Sequence, residues 1–254
     1  MARLGMIQIL AQKLSAPLSL GLNAILIQLI LYKSPHEMGM YKYLLCYISV
    51  FEVIFAFLTV IMQPDFFSHS SVFLVIARKD RLNLPVSFIY IMNLMLCGMF
   101  GMSMAFFALH FIYRYLVITG HEWVKNVSFY KLTILIFAPI IYGALWMTIV
   151  VNTMKPTESS NKILMEYFLD CKNLTVDDIN YVGPNYYETF HGDPQLNWDA
   201  LNGMLLLDIM VAFSVAIIIV FAIKCYKKVN ILANSVQYSK AFRDLQSQLL
   251  RSSL

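Results

Sequence analysis

The side chains able to do chemistry are few, and they stand in apolar surroundings. Asn23, Glu52, Asn93, Cys97 and Asp208 lie inside long hydrophobic stretches, and Arg114 closes the longest uncharged one, between Tyr113 and Tyr115. Polar groups placed in hydrocarbon are costly unless paired, so each marks either a bond between helices or a functional position. No paired-carboxylate site, Ser/His/Asp set, HExxH or glycine-rich phosphate loop accompanies them. His110, one turn before Arg114, reads as a packing group rather than a catalyst. The chemistry on offer is recognition and switching within a membrane. No enzymatic activity, cofactor or metal site is expected.

Composition leads to the same class. The 254 residues are 59% hydrophobic and 13% charged, with 18 Phe, 15 Tyr and 15 Met; mean hydropathy is +0.65. Soluble domains carry about 25% charged residues. The net charge of +4 is modest, and no basic patch interleaved with aromatics points to nucleic acid. The four cysteines (Cys46, Cys97, Cys171, Cys225) are too scattered for a disulfide scaffold and lack zinc-site spacing. Lys13 breaks the first apolar stretch, and no cleavage site of signal-peptide type follows it.

Five stretches are apolar enough to cross a bilayer: 14–32, 43–62, 86–119, 132–154 and 201–223. The third organises the others. No Asp, Glu, Lys or Arg occurs between Leu82 and Tyr113, a run that as a helix extends roughly 48 Å. That exceeds the ~30 Å hydrocarbon core. Gly98, Gly101, Ser103, Ala105 and Ala108 among Met and Phe suit a helix packed closely by neighbours. The run Ser71-Val72-Phe73-Leu74-Val75-Ile76 is too short to cross and β-rich, which predicts a strand on the membrane surface. The outer loop 155–200 and a basic tail, 224–254, complete a single-domain, all-α membrane bundle.

With the amino terminus outside, eleven of the nineteen Lys and Arg fall on the inner side, concentrated after the fifth stretch. The sequon at Asn173 then lies outside and is a candidate glycosylation site. The one at Asn126 lies inside and stays bare.

Each candidate residue admits two readings. Asn23 and Glu52 stand ten residues from Lys33 and Lys42, hence at equal depth, roughly 15 Å in. They form either an interhelical clasp or part of a switch or ion site. Asp208 either faces a cavity and meets a polar or cationic ligand, or bonds Asn93 or a tyrosine as packing glue. Asn93 and Cys97 invite the same pair of readings. Cys97 and Cys171 are either bridged or free thiols. Arg114 is either a snorkelling interfacial charge or a switch.

Several short motifs resemble those of the nematode Str-type seven-transmembrane chemoreceptors, the family that includes the nematode diacetyl receptor. Lys33-Ser34-Pro35 with Gly39-Met40-Tyr41-Lys42-Tyr43-Leu44 is similar to its K-S-P…M-G-x-Y-K-Y-L signature. Ser49-Val50-Phe51-Glu52 and His110-Phe111-Ile112-Tyr113-Arg114-Tyr115 resemble its S-x-F-E and H-F-x-Y-R-Y. Pro139 to Gly143 with Trp146, Tyr181-Val182-Gly183, Asn197-Trp198, and Leu245-Gln246-Ser247-Gln248-Leu249 extend the resemblance along the chain. It implies a G-protein-coupled olfactory receptor for environmental small molecules, in the plasma membrane of a sensory-neuron cilium. Tyr113, Arg114 and Tyr115 would then be the switch toward a heterotrimeric G protein. Five stretches stand where the family has seven, and the residues after Leu249 depart from its pattern. The resemblance therefore implies a form truncated before the sixth helix. The alternative is a non-signalling membrane protein that associates with related receptors and alters their trafficking.

Overall fold

The computed structural model describes residues 2–33, 40–82, 84–125, 128–166, 174–190 and 193–234. In chain order the helices are α1 (Ala2–Lys33), α2 (Met40–Met62), α3 (Lys79–Leu82), α4 (Val86–Ile118), α5 (Glu122–Lys125), α6 (Phe129–Thr153), α7 (Glu158–Leu164) and α8 (Trp198–Asn234). The strands are β1 (Asp65–His69), β2 (Val72–Arg78), β3 (Ile179–Val182), β4 (Tyr187–Phe190) and β5 (Asp193–Leu196). Five helices carry segments long and apolar enough to cross a membrane: Leu14–Lys33, Tyr41–Met62, Val86–Ile118, Phe129–Thr153 and Trp198–Leu232. The molecule is an all-α, receptor-like membrane bundle. Several helices outrun the hydrophobic stretches, because helical hydrogen bonding continues into polar flanks: α1 begins at Ala2 and α8 runs on to Asn234.

The helix α4 is the hub, in contact with α2, α6, α8 and strands β2 and β3. Small residues bring its neighbours close. A Cβ on Gly98 would stand 2.5 Å from the Met147 side chain, and one on Gly143 would stand 2.9 Å from the Gly98 carbonyl. Gly101 lies against Trp146 in the same way. Close backbone approach of this kind is how helices associate where lipid offers no hydrophobic driving force. Buried aromatics fill the α2–α4 seam, with Phe51 and Phe106 at 4.6 Å and Tyr47 edge-on to Phe106 at 4.9 Å. Two tyrosine hydroxyls pin helices together through backbone. Tyr47 donates to Ile136 O at 3.1 Å, joining α2 to α6. Tyr142 donates to Met210 O at 2.6 Å and shares a hydrogen bond with Ser214, joining α6 to α8.

Loops 63–85 and 155–200, at one end of the bundle, form one lid. The strand expected from 71–76 is present as β2, and it is the middle of an antiparallel sheet in the order β1-β2-β3. The pairing of Val75 with Val182 and Ile76 with Tyr181 therefore joins loop 63–85 to loop 155–200. The pleat sends alternate residues to opposite faces. Val72, Leu74 and Ile76, with Phe67, Ile179 and Tyr181, pack against Leu164 of α7. Phe66, Phe73, Val75 and Val182 point toward the bundle. Thr157 caps α7 through a capping box with Ser160. Tyr181 joins that cap to the sheet, its hydroxyl 2.9 Å from Ser160 Oγ and donating to Asn161 Oδ1 at 2.6 Å. Gly183, at φ +149°, lets the chain pass the Phe73 backbone where a Cβ would collide. A separate hairpin, β4-β5, lies beside the lid.

Candidate functional site

Beneath the lid is a cavity of about 580 Å³, within the size range of small-molecule sites. Four helices each contribute one face to it. Met204, Leu207, Asp208 and Val211 of α8 follow the i, i+3, i+4, i+7 spacing of a single helical stripe. Trp146 and Val150 of α6, with Met154 just past its end, recur every fourth residue. From α4 come Leu96, Cys97 and Phe100, and from α2 come Phe55 and Thr59. The lid closes it with Phe66, Phe73 and Val75, and with Val182, Gly183 and Pro184. Phe100 and Trp146 meet edge to face at 5.5 Å, the arrangement ring quadrupoles favour. The chamber is apolar and aromatic, with few polar groups to orient a guest.

Of the three residues expected around a cavity, Cys97 and Asp208 line it. Cys97 carries a free thiol, and Cys171 and Asn173 lie outside the described residues. The structure places Asn93 differently. It is fully buried, and its amide donates to Val75 O at 3.0 Å, fastening α4 to the lid rather than facing the chamber. Neither Asn93 nor a tyrosine hydrogen-bonds Asp208 among the described residues; Tyr186 of the lid feels its charge. Burial first, and the Asp208 carboxylate second, push the Tyr186 phenol above its ordinary value. The aromatic walls and the lid roof were missed in the sequence, although the 204–211 spacing and the 72–76 alternation both carry the signal.

Asn23 is buried, and its amide donates to Ser19 O at 3.0 Å, within its own helix. Among the described residues no hydrogen bond joins it to Glu52, which is half-buried on α2. Equal depth does not fix the angle at which a side chain leaves its helix, and the amide finds the nearer acceptor one turn back.

Near the C-terminal end of α4, three successive residues leave the helix in three directions, as a turn of about 100° per residue requires. Tyr113 is buried with Tyr41, Leu44 and Leu135 and lies 5.6 Å from the Trp123 ring of α5. Among the described residues its hydroxyl has no hydrogen-bond partner. Arg114 is half-buried, and its charge acts on Tyr41 of α2, His110 of α4 and Cys225 of α8. Tyr115 stacks edge-on with Phe221 of α8 at 5.6 Å, under Lys224 Nζ at 5.8 Å from its ring. The Tyr113–Arg114–Tyr115 segment thus touches α2, the α5 loop and α8 together.

Similarity to known proteins agrees with this architecture. The family described as Serpentine type 7TM GPCR chemoreceptor Str matches residues 8–252. The chain is 32% identical over 239 residues to the Caenorhabditis elegans G-protein coupled receptor str-217, which covers 93% of this chain and 69% of that receptor. It is 23% identical over 246 residues to Serpentine receptor class J-38 of the same organism, covering 97% of this chain and 73% of that receptor. The similarity to the Caenorhabditis elegans G-protein coupled receptor str-33 is 24% over 158 residues, 62% of this chain and 46% of the relative. No solved structure matches the chain. Five apolar helices long enough to cross a membrane, with this match along nearly the whole sequence, make the chain a multi-pass membrane protein that belongs to the Str family of serpentine G-protein-coupled chemoreceptors.

Proposed function

We propose that this protein is an olfactory-type receptor that holds an environmental small molecule in the cavity beneath the lid and signals inward through the inner end of α4. The observation that carries the reading is the cavity: about 580 Å³, apolar, and walled by α2, α4, α6 and α8, of which α2 and α8 also feel the Arg114 charge of α4. In this reading the amino terminus is outside, the lid faces the environment, and the protein resides in the plasma membrane of a sensory cilium. Arg114, flanked by Tyr113 and Tyr115, is the switch, coupling movements of α2 and α8 to a heterotrimeric G protein. Asn23 and Glu52 serve as packing groups.

The test is a reporter cell that expresses the chain with a G protein and is exposed to panels of small volatile compounds. A responding compound should lose its effect when Val150→Trp fills the cavity, at equal surface level. A response that survives Val150→Trp places the ligand elsewhere.

A second reading is association with related receptors. It is favoured by the apolar strip that α8 exposes through Leu205, Ile209 and Phe213. Co-purification with a full-length relative, abolished by polar substitutions along that strip, supports it. A monomer in every lipid and detergent tried sinks it.

A further inference from the structure

Among the residues lining the cavity there is one carboxylate, Asp208, and no Lys, Arg or His. It lies ten residues into α8 from Trp198, roughly 15 Å along the helix. Its side chain is exposed rather than packed away. Among the described residues it has neither an ion pair nor a hydrogen bond from a protein group. A carboxylate at membrane depth without a counter-charge is expensive and marks a position where a partner arrives from outside the fold. The rest of the wall points the same way. Phe100, Trp146, Phe66 and Phe73 offer aromatic surface, whose negative ring faces attract cations and repel anions. A neutral hydrocarbon would fill the space but leave the carboxylate unmatched, and an anion would meet repulsion from both.

We propose that the cavity takes a small amphipathic ammonium compound, an aryl- or alkylamine whose apolar body lies against Phe100 and Trp146 and whose ammonium pairs with Asp208. The lid completes the site with Phe66 and Phe73, which line the same cavity as Asp208. This assignment rests on the cavity being the ligand site, and it names the chemical class that site selects.

The probes are phenethylamine and phenethyl alcohol, which have similar size and shape and differ in charge at neutral pH. Their binding is measured by equilibrium dialysis to the full chain in phosphatidylcholine nanodiscs, against empty discs. The amine should bind about tenfold more tightly than the alcohol, as expected of a hydrogen bond to a charged group. Asp208→Asn should remove that preference, and an unchanged thermal unfolding midpoint in the same nanodiscs reports that the variant is folded. Val150→Trp should abolish binding of both. Equal affinities in the unaltered chain, or an amine preference that survives Asp208→Asn, overturn the ammonium assignment and leave the cavity as a ligand site. Binding of neither probe overturns the cavity as a ligand site, and the assignment with it.

Discussion

Asn93 of α4 donates its amide hydrogen to the Val75 carbonyl of β2 at 3.0 Å, so a hydrogen bond fastens the central helix to the middle strand of the lid. Asn93 is fully buried and Val75 half-buried. Asn93→Ala removes this bond, at a cost of about 1 kcal/mol. Amide hydrogen exchange should quicken in β2 and β3 while the C-terminal half of α4 keeps its protection. Uniform loss of protection along the chain would show that the bond holds the whole bundle rather than the lid.

The α4–α6 crossing gives an ordered pair of effects. A methyl group at Gly98 meets Met147 Cγ and Sδ, an unbranched chain that can rotate aside, and the Gly143 carbonyl at 3.3 Å, whereas one at Gly143 meets the rigid Gly98 carbonyl at 2.9 Å. Gly143→Ala should therefore destabilise more than Gly98→Ala, by roughly 1–3 kcal/mol, as overpacking does. Thermal unfolding in detergent measures the order. The reverse order would mean that the helices close over Gly98 more tightly than over Gly143.

The lid should loosen in alkali. Burial raises the Tyr181 phenol above its ordinary value of 10.0, partly offset by its bond with Ser160. A group whose pKa is raised by folding stabilises the fold fully below its unfolded value, and that contribution is lost as pH rises through the folded one. Protection of β3 should hold up to about pH 10 and then decline, and the decline should be weaker in Tyr181→Phe. That variant should also lose about 1 kcal/mol at neutral pH, with its hydrogen bond to Asn161.

Orientation and switching can be tested in one cell line. Glycosidase should shift the mobility of the chain unless Asn173 is replaced by Gln, and Asn126→Gln should change nothing. Arg114→Ala should weaken G-protein signalling at least tenfold at equal surface level, since it removes a charge that acts on α2 and α8 together. Undiminished coupling would assign Arg114 to interfacial anchoring.

The five crossing helices were legible because hydrophobic length is a local property of the chain, and the strand at 72–78 because its alternation is local too. The partner strand at 179–182 was not, since four residues carry little pattern and their pairing spans about a hundred positions. Asp208 and Cys97 were found as polar interruptions, and they do line the cavity. Asn93 showed the same interruption and turned out to fasten the lid, because a sequence gives depth but not the acceptor across the gap. For Asn23, likewise, depth matched Glu52 while the amide turned to Ser19. Tyr142, which ties α6 to α8, gave no signal, as its partner is a backbone carbonyl that every residue possesses.

The two faces of β2 divide labour in a way that bears on how such a protein can diversify. Leu74 and Ile76 hold the lid together from one side, while Phe73 and Val75, their immediate neighbours, face the chamber from the other. Substitution at 73 or 75 can reshape what the chamber admits without disturbing the packing that keeps the strand in place. Under the proposed ligand role, a lineage built on this arrangement explores new chemical tastes one side chain at a time, with its scaffold sheltered from the experiment.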